Sequence, residues 1–168
     1  MTPEHAHLVL VHLPIVGLLA AAVPLAWGVL RTDRTATALG LALAALFALA
    51  TPLVVASGDG AEDRLEHGQG PLALDPAGQR WLEVHEERAE AGAVVLYVAA
   101  GLLAAGLGVL WKLRHPALPR GLGAGGLAVC ALSFATLAWV AEAGGKIRHP
   151  ELREGSSVAS TPRADDDD

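Results

Sequence analysis

Histidine is the residue type in this chain with the widest range of possible chemistry. Imidazole binds haem iron, copper and zinc, and it transfers protons near neutral pH. Seven of the 168 residues are histidine: His5, His7, His12, His67, His85, His115 and His149. No nucleophile–base set, phosphate loop or dinucleotide fingerprint accompanies them in the sequence. The histidines therefore point towards a cofactor or metal site without naming a reaction.

Four long apolar stretches must position these histidines. The stretches that contain no Asp, Glu, Lys or Arg are Leu8–Leu30, Thr35–Gly58, Ala91–Trp111 and Gly121–Ala141. Each exceeds the roughly 18 to 20 apolar residues that cross a hydrocarbon core about 30 Å thick. The sequence therefore predicts an all-α, polytopic membrane protein. We expect a four-transmembrane-helix up-and-down bundle with an outer loop between helices 2 and 3, and spans at about 8–30, 36–57, 91–111 and 121–141.

The distribution of basic residues predicts an orientation. Two short connections contain five of the twelve Lys and Arg residues (Arg31, Arg34, Lys112, Arg114 and Arg120) but one of the eighteen acids, Asp33. The positive-inside rule then places these connections in the cytoplasm and both termini outside. Six of the seven histidines, all except His115, come to lie at the outer face.

The domain organisation is simple. Residues 1–154 are predicted to form the transmembrane domain, and residues 155–168 a flexible acidic tail. Pro14, Pro24 and Pro52 fall within spans, and since each removes a backbone hydrogen bond, we expect kinks there. No internal repeat is convincing in the sequence, although helices one and two are loosely mirrored by helices three and four.

Glycine and proline motifs mark the expected ends of the helices. Gly58-Asp59-Gly60 is typical of a turn, and Gly144-Gly145 predicts the end of the fourth helix. Asp75-Pro76 predicts an N-cap followed by proline at the first helical position. One long helix should continue from there to Lys112.

His12 lies within the first span, close to Pro14. A histidine inside a membrane span is rare because it costs stability, so a functional role is the default interpretation. The alternative is a histidine whose hydrogen bonds are satisfied by a neighbouring helix. With His12 as a ligand, the sequence predicts that His12→Ala abolishes cofactor retention while leaving the protein in the membrane.

The segment His7…Val11-His12-Leu13-Pro14-Ile15 resembles the opening motif of bacterial four-helix membrane proteins catalogued as domain-of-unknown-function family 2231. The resemblance continues through Gly58-Asp59, His85 and Gly144-Gly145…His149, and it covers about residues 5–150. It implies a domain of the bacterial cytoplasmic (inner) membrane, in contact with the lipid bilayer. It also implies Rieske-type or cytochrome modules as redox partners and, more loosely, a relation to membrane cytochromes b.

The depth of each histidine distinguishes two kinds of site. The cofactor-binding candidates are His7, His12, His85 and His149. A haem b held by His12 and His85 would have ligands whose depths differ by roughly 15 Å, at about 1.5 Å per residue. A site shared by His7, His85 and His149 fits the depths better. With the additional candidates Asp59, Glu90 and Glu142 nearby, such a cluster would suit zinc, copper or non-haem iron.

The leading functional prediction is a small integral-membrane subunit that holds haem b or a metal ion near the outer face, for electron or proton transfer. A non-redox membrane protein that binds or senses a metal remains open, and so does a purely structural membrane subunit. An electron-transfer or binding subunit is favoured over a stand-alone enzyme. The net charge of −6 excludes nucleic acid as a partner, since phosphate binding needs clustered Lys and Arg.

Overall fold

The secondary structure is helical across the residues that the structure describes, 2–68 and 74–153 of a computed structural model. Six α-helices lie within these ranges: α1 Pro3–Leu10, α2 His12–Arg31, α3 Arg34–Ala48, α4 Thr51–Glu66, α5 Pro76–Lys112 and α6 Leu118–Arg148. A short 3₁₀ turn, Pro150–Leu152, follows α6. The predicted acidic tail, residues 155–168, lies outside the described residues.

Four helical segments in the described ranges are long and apolar enough to span a membrane. Span 1 consists of α1 and α2, span 2 of α3 and α4, span 3 is α5 and span 4 is α6. Between 17% and 33% of each apolar window is buried inside the protein. Large apolar side chains such as Val23, Leu30 and Leu46 therefore point away from the core, each more than 60% exposed. Such an apolar outer surface suits a lipid environment better than water.

Two of the three prolines within the spans lie close to helix breaks. The break between α1 and α2 precedes Pro14, and α4 begins one residue before Pro52. Pro52 has no N–H group to donate to the Ala48 carbonyl. That carbonyl accepts a hydrogen bond of 2.7 Å from Thr51 Oγ1 instead. Pro24 lies inside α2, which continues through it. Interruptions thus accompany Pro14 and Pro52 but not Pro24.

The glycine motifs expected to turn or end a helix do neither. α4 continues through Gly58-Asp59-Gly60 to Glu66, and α6 continues through Gly144-Gly145 to Arg148. The predicted turn and the predicted helix end are therefore wrong. A glycine within a helix costs only about 1 kcal/mol, which tertiary packing can offset. Gly58 and Gly144 are both packed against histidine rings, as described below.

The spans form a bundle in which sequence neighbours pack together. Span 1 packs against spans 2 and 4, and span 3 packs against the same two spans. Spans 2 and 4 also contact each other, so spans 1 and 3 occupy opposite corners. Spans 1 and 2 make up hairpin 1, and spans 3 and 4 make up hairpin 2. Leu25 is fully buried at the centre, with Gly40 of span 2 and Gly126 of span 4 against it. Small residues permit this close approach, which supplies packing contacts in a membrane bundle.

The two short connections are joined at one end of the bundle. Thr37 Oγ1 lies 2.9 Å from the Asp33 carbonyl of hairpin 1 and 3.1 Å from the Pro119 carbonyl of hairpin 2. Its hydroxyl group therefore lies within hydrogen-bonding distance of both hairpins. Arg34 donates to the Leu113 carbonyl at 3.2 Å. Arg34, one of the basic residues that predict the orientation, therefore also ties the two hairpins together.

At the other end, Asp75 caps α5, which confirms the predicted N-cap and the long helix that follows it. Its Oδ1 accepts a hydrogen bond of 2.6 Å from the Gly78 backbone N–H. Arg153 donates to both carboxylate oxygens at 2.9 and 3.0 Å, and it also donates to the Ile147 carbonyl near the end of α6. The Gly78 hydrogen bond, assisted by Arg153, holds the pKa of Asp75 below its ordinary value of 3.8.

We expect this link to weaken in acid. Because the folded-state pKa of Asp75 is lowered, its contribution to stability is complete above the unfolded-state pKa and is lost as the pH falls through the folded-state value. Asp75→Asn keeps a good capping side chain but removes the charge. Thermal unfolding in detergent should give a slightly lower Tm for this variant at pH 7, because the pair is exposed, and a smaller decrease between pH 5 and pH 3. Identical pH profiles for the two proteins would contradict the assignment.

Candidate functional site

His7 on α1 is held against α4. Its Nδ1 lies 3.1 Å from Ser57 Oγ and 3.2 Å from the Val54 carbonyl. Since the Ser57 hydroxyl donates to the same carbonyl at 2.7 Å, His7 Nδ1 carries the proton and donates to both acceptors. Gly58 lies beside the ring, where an added Cβ would be 3.2 Å from His7 Cε1. The absence of a side chain at Gly58 therefore allows the imidazole to lie close to α4.

His85 on α5 is held against α6 in the same way. Its Nδ1 donates to the Val140 carbonyl at 3.0 Å. An added Cβ at Gly144 would lie 3.1 Å from His85 Cε1. In both hairpins the glycine follows the valine by about one helical turn. We call these two arrangements the first (His7, Val54, Gly58) and the second (His85, Val140, Gly144) histidine–glycine contact.

His7 and His85, called the histidine pair below, belong to spans at opposite corners of the bundle. His7 is close enough to His85 to act on it electrostatically, and both side chains are partly buried. Each ring donates its Nδ1–H, and no hydrogen bond reaches either Nε2 within residues 2–68 and 74–153. Both Nε2 atoms therefore retain a lone pair for a ligand.

The charges around the histidine pair are unequal. Asp59 acts electrostatically on His7, whereas Arg88 acts on His85. Arg88 is fixed in place by hydrogen bonds to the Trp139 carbonyl at 2.9 Å and to Glu142 at 2.8 Å. Its guanidinium also lies 4.9 Å from the centroid of the Trp139 ring. An acidic group thus borders one side of the pair and a basic group the other.

The three acids considered as additional ligands have different surroundings. Asp59 lies on the His7 side of the pair. Glu142 accepts hydrogen bonds from both Arg88 and Lys146, at 2.8 and 2.6 Å. Glu90 is exposed. Of these three acids, Asp59 is therefore the one that acts electrostatically on a histidine of the pair.

His12 lies apart from the pair, on the outer surface of span 1. Its Nδ1 donates to the Leu8 carbonyl of its own chain segment at 2.6 Å. The ring borders a shallow apolar groove whose other lining residues are Leu13, Val16, Gly17, Ala20 and Phe47. No described contact joins His12 to His7 or His85, so its role as a ligand stays a prediction that its position does not favour.

The other histidines of the outer end also lie apart. His149 caps the C-terminal end of α6, is exposed, and its Nδ1 lies 2.9 Å from Glu151 Oε1. His67 is exposed and donates to the Asp63 carbonyl at 2.6 Å, and His5 is exposed on α1. The structure therefore brings together two of the four candidate ligands, His7 and His85, without His149.

The described parts of the chain contain no group of three or more His, Cys, Asp or Glu that could hold a metal ion. Comparisons with protein-family models, curated proteins and solved structures find no match to this chain. The resemblance of the His7–Ile15 segment to a known membrane family consequently stays a prediction.

Several residues around the histidine pair are not evident as site residues from the sequence. Ser57 and the carbonyls of Val54 and Val140 orient the imidazoles, and Gly58 and Gly144 allow them to approach. A backbone carbonyl leaves no trace in the residue type, and glycine alone suggests a turn. The sequence feature that could have revealed these residues is the identical Val-x-x-x-Gly spacing in spans 2 and 4.

Proposed function

We propose that this chain is a small multi-pass membrane subunit that holds haem b through His7 and His85, for electron transfer. The observation that carries this proposal is the form of the histidine pair: each ring donates Nδ1–H to a carbonyl and keeps Nε2 available. Histidines that ligate metals almost always donate their other N–H in this way, which fixes the tautomer and strengthens the ligand.

The number of available donors favours haem over a bare metal ion. Zinc sites take three or four protein ligands, whereas two histidines come together here and no larger ligand group exists among the described residues. Haem iron receives its equatorial ligands from the porphyrin, so the protein supplies one or two axial ligands. The donor set of His7 and His85 therefore fits haem.

The surrounding residues have distinct tasks in this proposal. A bound haem would supply one-electron chemistry. The Val54 and Val140 carbonyls hold the two imidazoles in one tautomer, and Ser57 gives His7 a second acceptor. Asp59 favours positive charge on the His7 side of the site, and Arg88 opposes it on the His85 side.

Membrane insertion and orientation belong to the same proposal. The four apolar spans with outward-facing side chains support insertion into a bacterial cytoplasmic membrane. The basic connections favour the cytoplasmic side for the opposite end of the bundle. The histidine pair would then lie near the outer face, where a Rieske-type or cytochrome module could exchange electrons with it.

An absorption spectrum tests the haem assignment. The protein is expressed with adequate haem supply, purified in detergent, and measured after air oxidation and after reduction with dithionite. We expect sharp reduced α and β bands, with about one haem per chain. A featureless spectrum in both states would contradict the proposal.

A second candidate function is non-redox metal binding, which the position of Asp59 beside His7 favours. The carboxylate of Asp59 would complement the charge of a zinc or copper ion held by His7 and His85, and the remaining ligands would come from water or from a partner. Elemental analysis that finds either metal in the haem-free protein would support this function. A protein that contains neither haem nor metal would support a purely structural subunit.

A further inference from the structure

The inner faces of spans 1 and 3 match at four positions. His7, Leu18, Ala21 and Leu25 of span 1 correspond to His85, Leu96, Ala99 and Leu103 of span 3. The residue numbers differ by the same amount in every pair. The six apolar members are each at most 4% exposed. The two spans thus share these buried side chains at equivalent positions, whereas the buried Pro14 and Gly17 of span 1 correspond to Gly92 and Val95 of span 3 and do not match.

Spans 2 and 4 match in the same manner, again with one constant difference in residue number. Gly40, Val54 and Gly58 of span 2 correspond to Gly126, Val140 and Gly144 of span 4. Gly40 and Gly126 are both buried, and both lie against Leu25. The valine and glycine of the first histidine–glycine contact therefore correspond to those of the second.

The packing of the spans has the symmetry that these matches require. An exchange of span 1 with span 3, and of span 2 with span 4, leaves the pattern of contacting spans unchanged. In particular, spans 2 and 4 touch across the centre, whereas spans 1 and 3 take opposite corners. A twofold axis along the bundle produces this pattern, as in other membrane proteins built from parallel repeats.

We infer that hairpins 1 and 2 are equivalent units related by an approximate twofold axis, and that His7 and His85 are equivalent ligands of one centre on that axis. This inference rests on the proposed function for the identity of the ligand, a haem that takes two imidazoles. The equivalence of the hairpins rests on the matched residues alone.

The symmetry is broken at the polar neighbours of the pair. Ser57 corresponds to Ala143 and Asp59 to Gly145, so the His7 side has a hydroxyl and a carboxylate that the His85 side lacks. Arg88, three residues after His85, corresponds to Leu10. The site therefore has two equivalent ligands in unequal electrostatic surroundings.

Paired glycine variants of the full chain test the inference. In Gly58→Ala and Gly144→Ala, a Cβ would enter the space next to an imidazole, 3.2 and 3.1 Å from its Cε1. The matched controls are Gly60→Ala, whose Cβ would make ordinary contact with Pro3 at 3.5 Å, and Gly145→Ala, which meets nothing within 4 Å. Thermal unfolding and haem titration of all four are compared in detergent.

We expect Gly58→Ala and Gly144→Ala to lower Tm by similar amounts relative to their controls, about 2–4 °C. Each should also weaken haem binding, by a similar factor of about 10, with one haem per chain. Two haems per chain, or changes in Tm and haem affinity in only one of the two glycine variants, would overturn the inference. The proposed haem-binding function would still stand in either case. If the unmodified protein binds no haem, the proposed function fails and the shared centre with it. The comparison of Tm values then still decides whether the two hairpins are equivalent.

Discussion

Replacement of either His7 or His85 by alanine is expected to abolish the haem spectrum of a six-coordinate centre. Each residue supplies one free Nε2, and the structure offers no third histidine beside them in its described ranges. We expect haem affinity to fall by at least about 100-fold, more than the 10- to 100-fold typical of losing an outer partner of a ligand. Titration of purified protein with haem, followed by absorption, measures this.

Both variants should remain folded and in the membrane fraction. His7→Ala loses the hydrogen bonds to the Val54 carbonyl and Ser57 Oγ, and His85→Ala loses the one to the Val140 carbonyl. Such bonds contribute about 0.6 kcal/mol on average in a membrane bundle. His12→Ala is the matched control, since His12 lies on the outer surface and donates within its own segment. Retention of the spectrum in His7→Ala and His85→Ala, or its loss in His12→Ala, would contradict the site as we place it.

Gly40→Ala is expected to destabilise the bundle at its centre. An added Cβ would lie 2.5 Å from Leu25 Cγ and 2.9 Å from the Leu25 backbone nitrogen. The side chain of Leu25 is fully buried and its backbone belongs to α2, so spans 1 and 2 would have to move apart. Overpacking of this kind costs about 1–3 kcal/mol, which lowers Tm by roughly 2–4 °C per kcal/mol in a chain of this size.

Gly108→Ala provides the matched control for Gly40→Ala. Its Cβ would meet nothing within 4 Å, and Gly108 lies within the helix α5. Alanine is favoured over glycine in a helix, so this variant should be neutral or slightly stabilising, by up to about 1 kcal/mol. Equal Tm values for Gly40→Ala and Gly108→Ala in detergent would show that spans 1 and 2 do not pack as described.

The helical elements follow from local signals in the sequence. The charge-free stretches fall within the four helical spans, two of which contain a helix break, because an apolar run of that length has few other stable forms in a membrane. Asp75-Pro76 starts α5 as predicted, because capping depends on residues close in sequence. Features that depend on residues close together in the sequence can thus be predicted from the sequence.

The glycine motifs and the histidine pair depend on tertiary contacts, so the sequence predicts them less well. Gly58 and Gly144 suggest a turn and a helix end when each is considered alone, yet each allows an imidazole to approach a helix. Depth along the spans groups His7 and His85 with His149, whereas the structure places His149 apart on the exposed end of α6, in contact with Glu151. The depth of a residue gives its position along the bundle axis, but it does not give the side of the helix on which the side chain lies.

The internal repeat that we infer is only loosely visible in the sequence, for a related reason. The matched residues are the buried ones, such as Leu18 with Leu96 and Leu25 with Leu103. The outward-facing residues between them need only be apolar, so they share little beyond composition. Once burial identifies the inner face of each span, two spacings become visible, one that is constant for spans 1 and 3 and a different one that is constant for spans 2 and 4.

Low-temperature electron paramagnetic resonance of the oxidised, detergent-purified protein tests the central claim most directly. Ferric haem with two imidazole ligands is low-spin, so we predict a low-spin signal that accounts for about one iron per chain and is lost in both His7→Ala and His85→Ala. A high-spin signal in the unmodified protein would contradict ligation by both histidines. A haem-supplied preparation without haem iron would contradict the account as a whole.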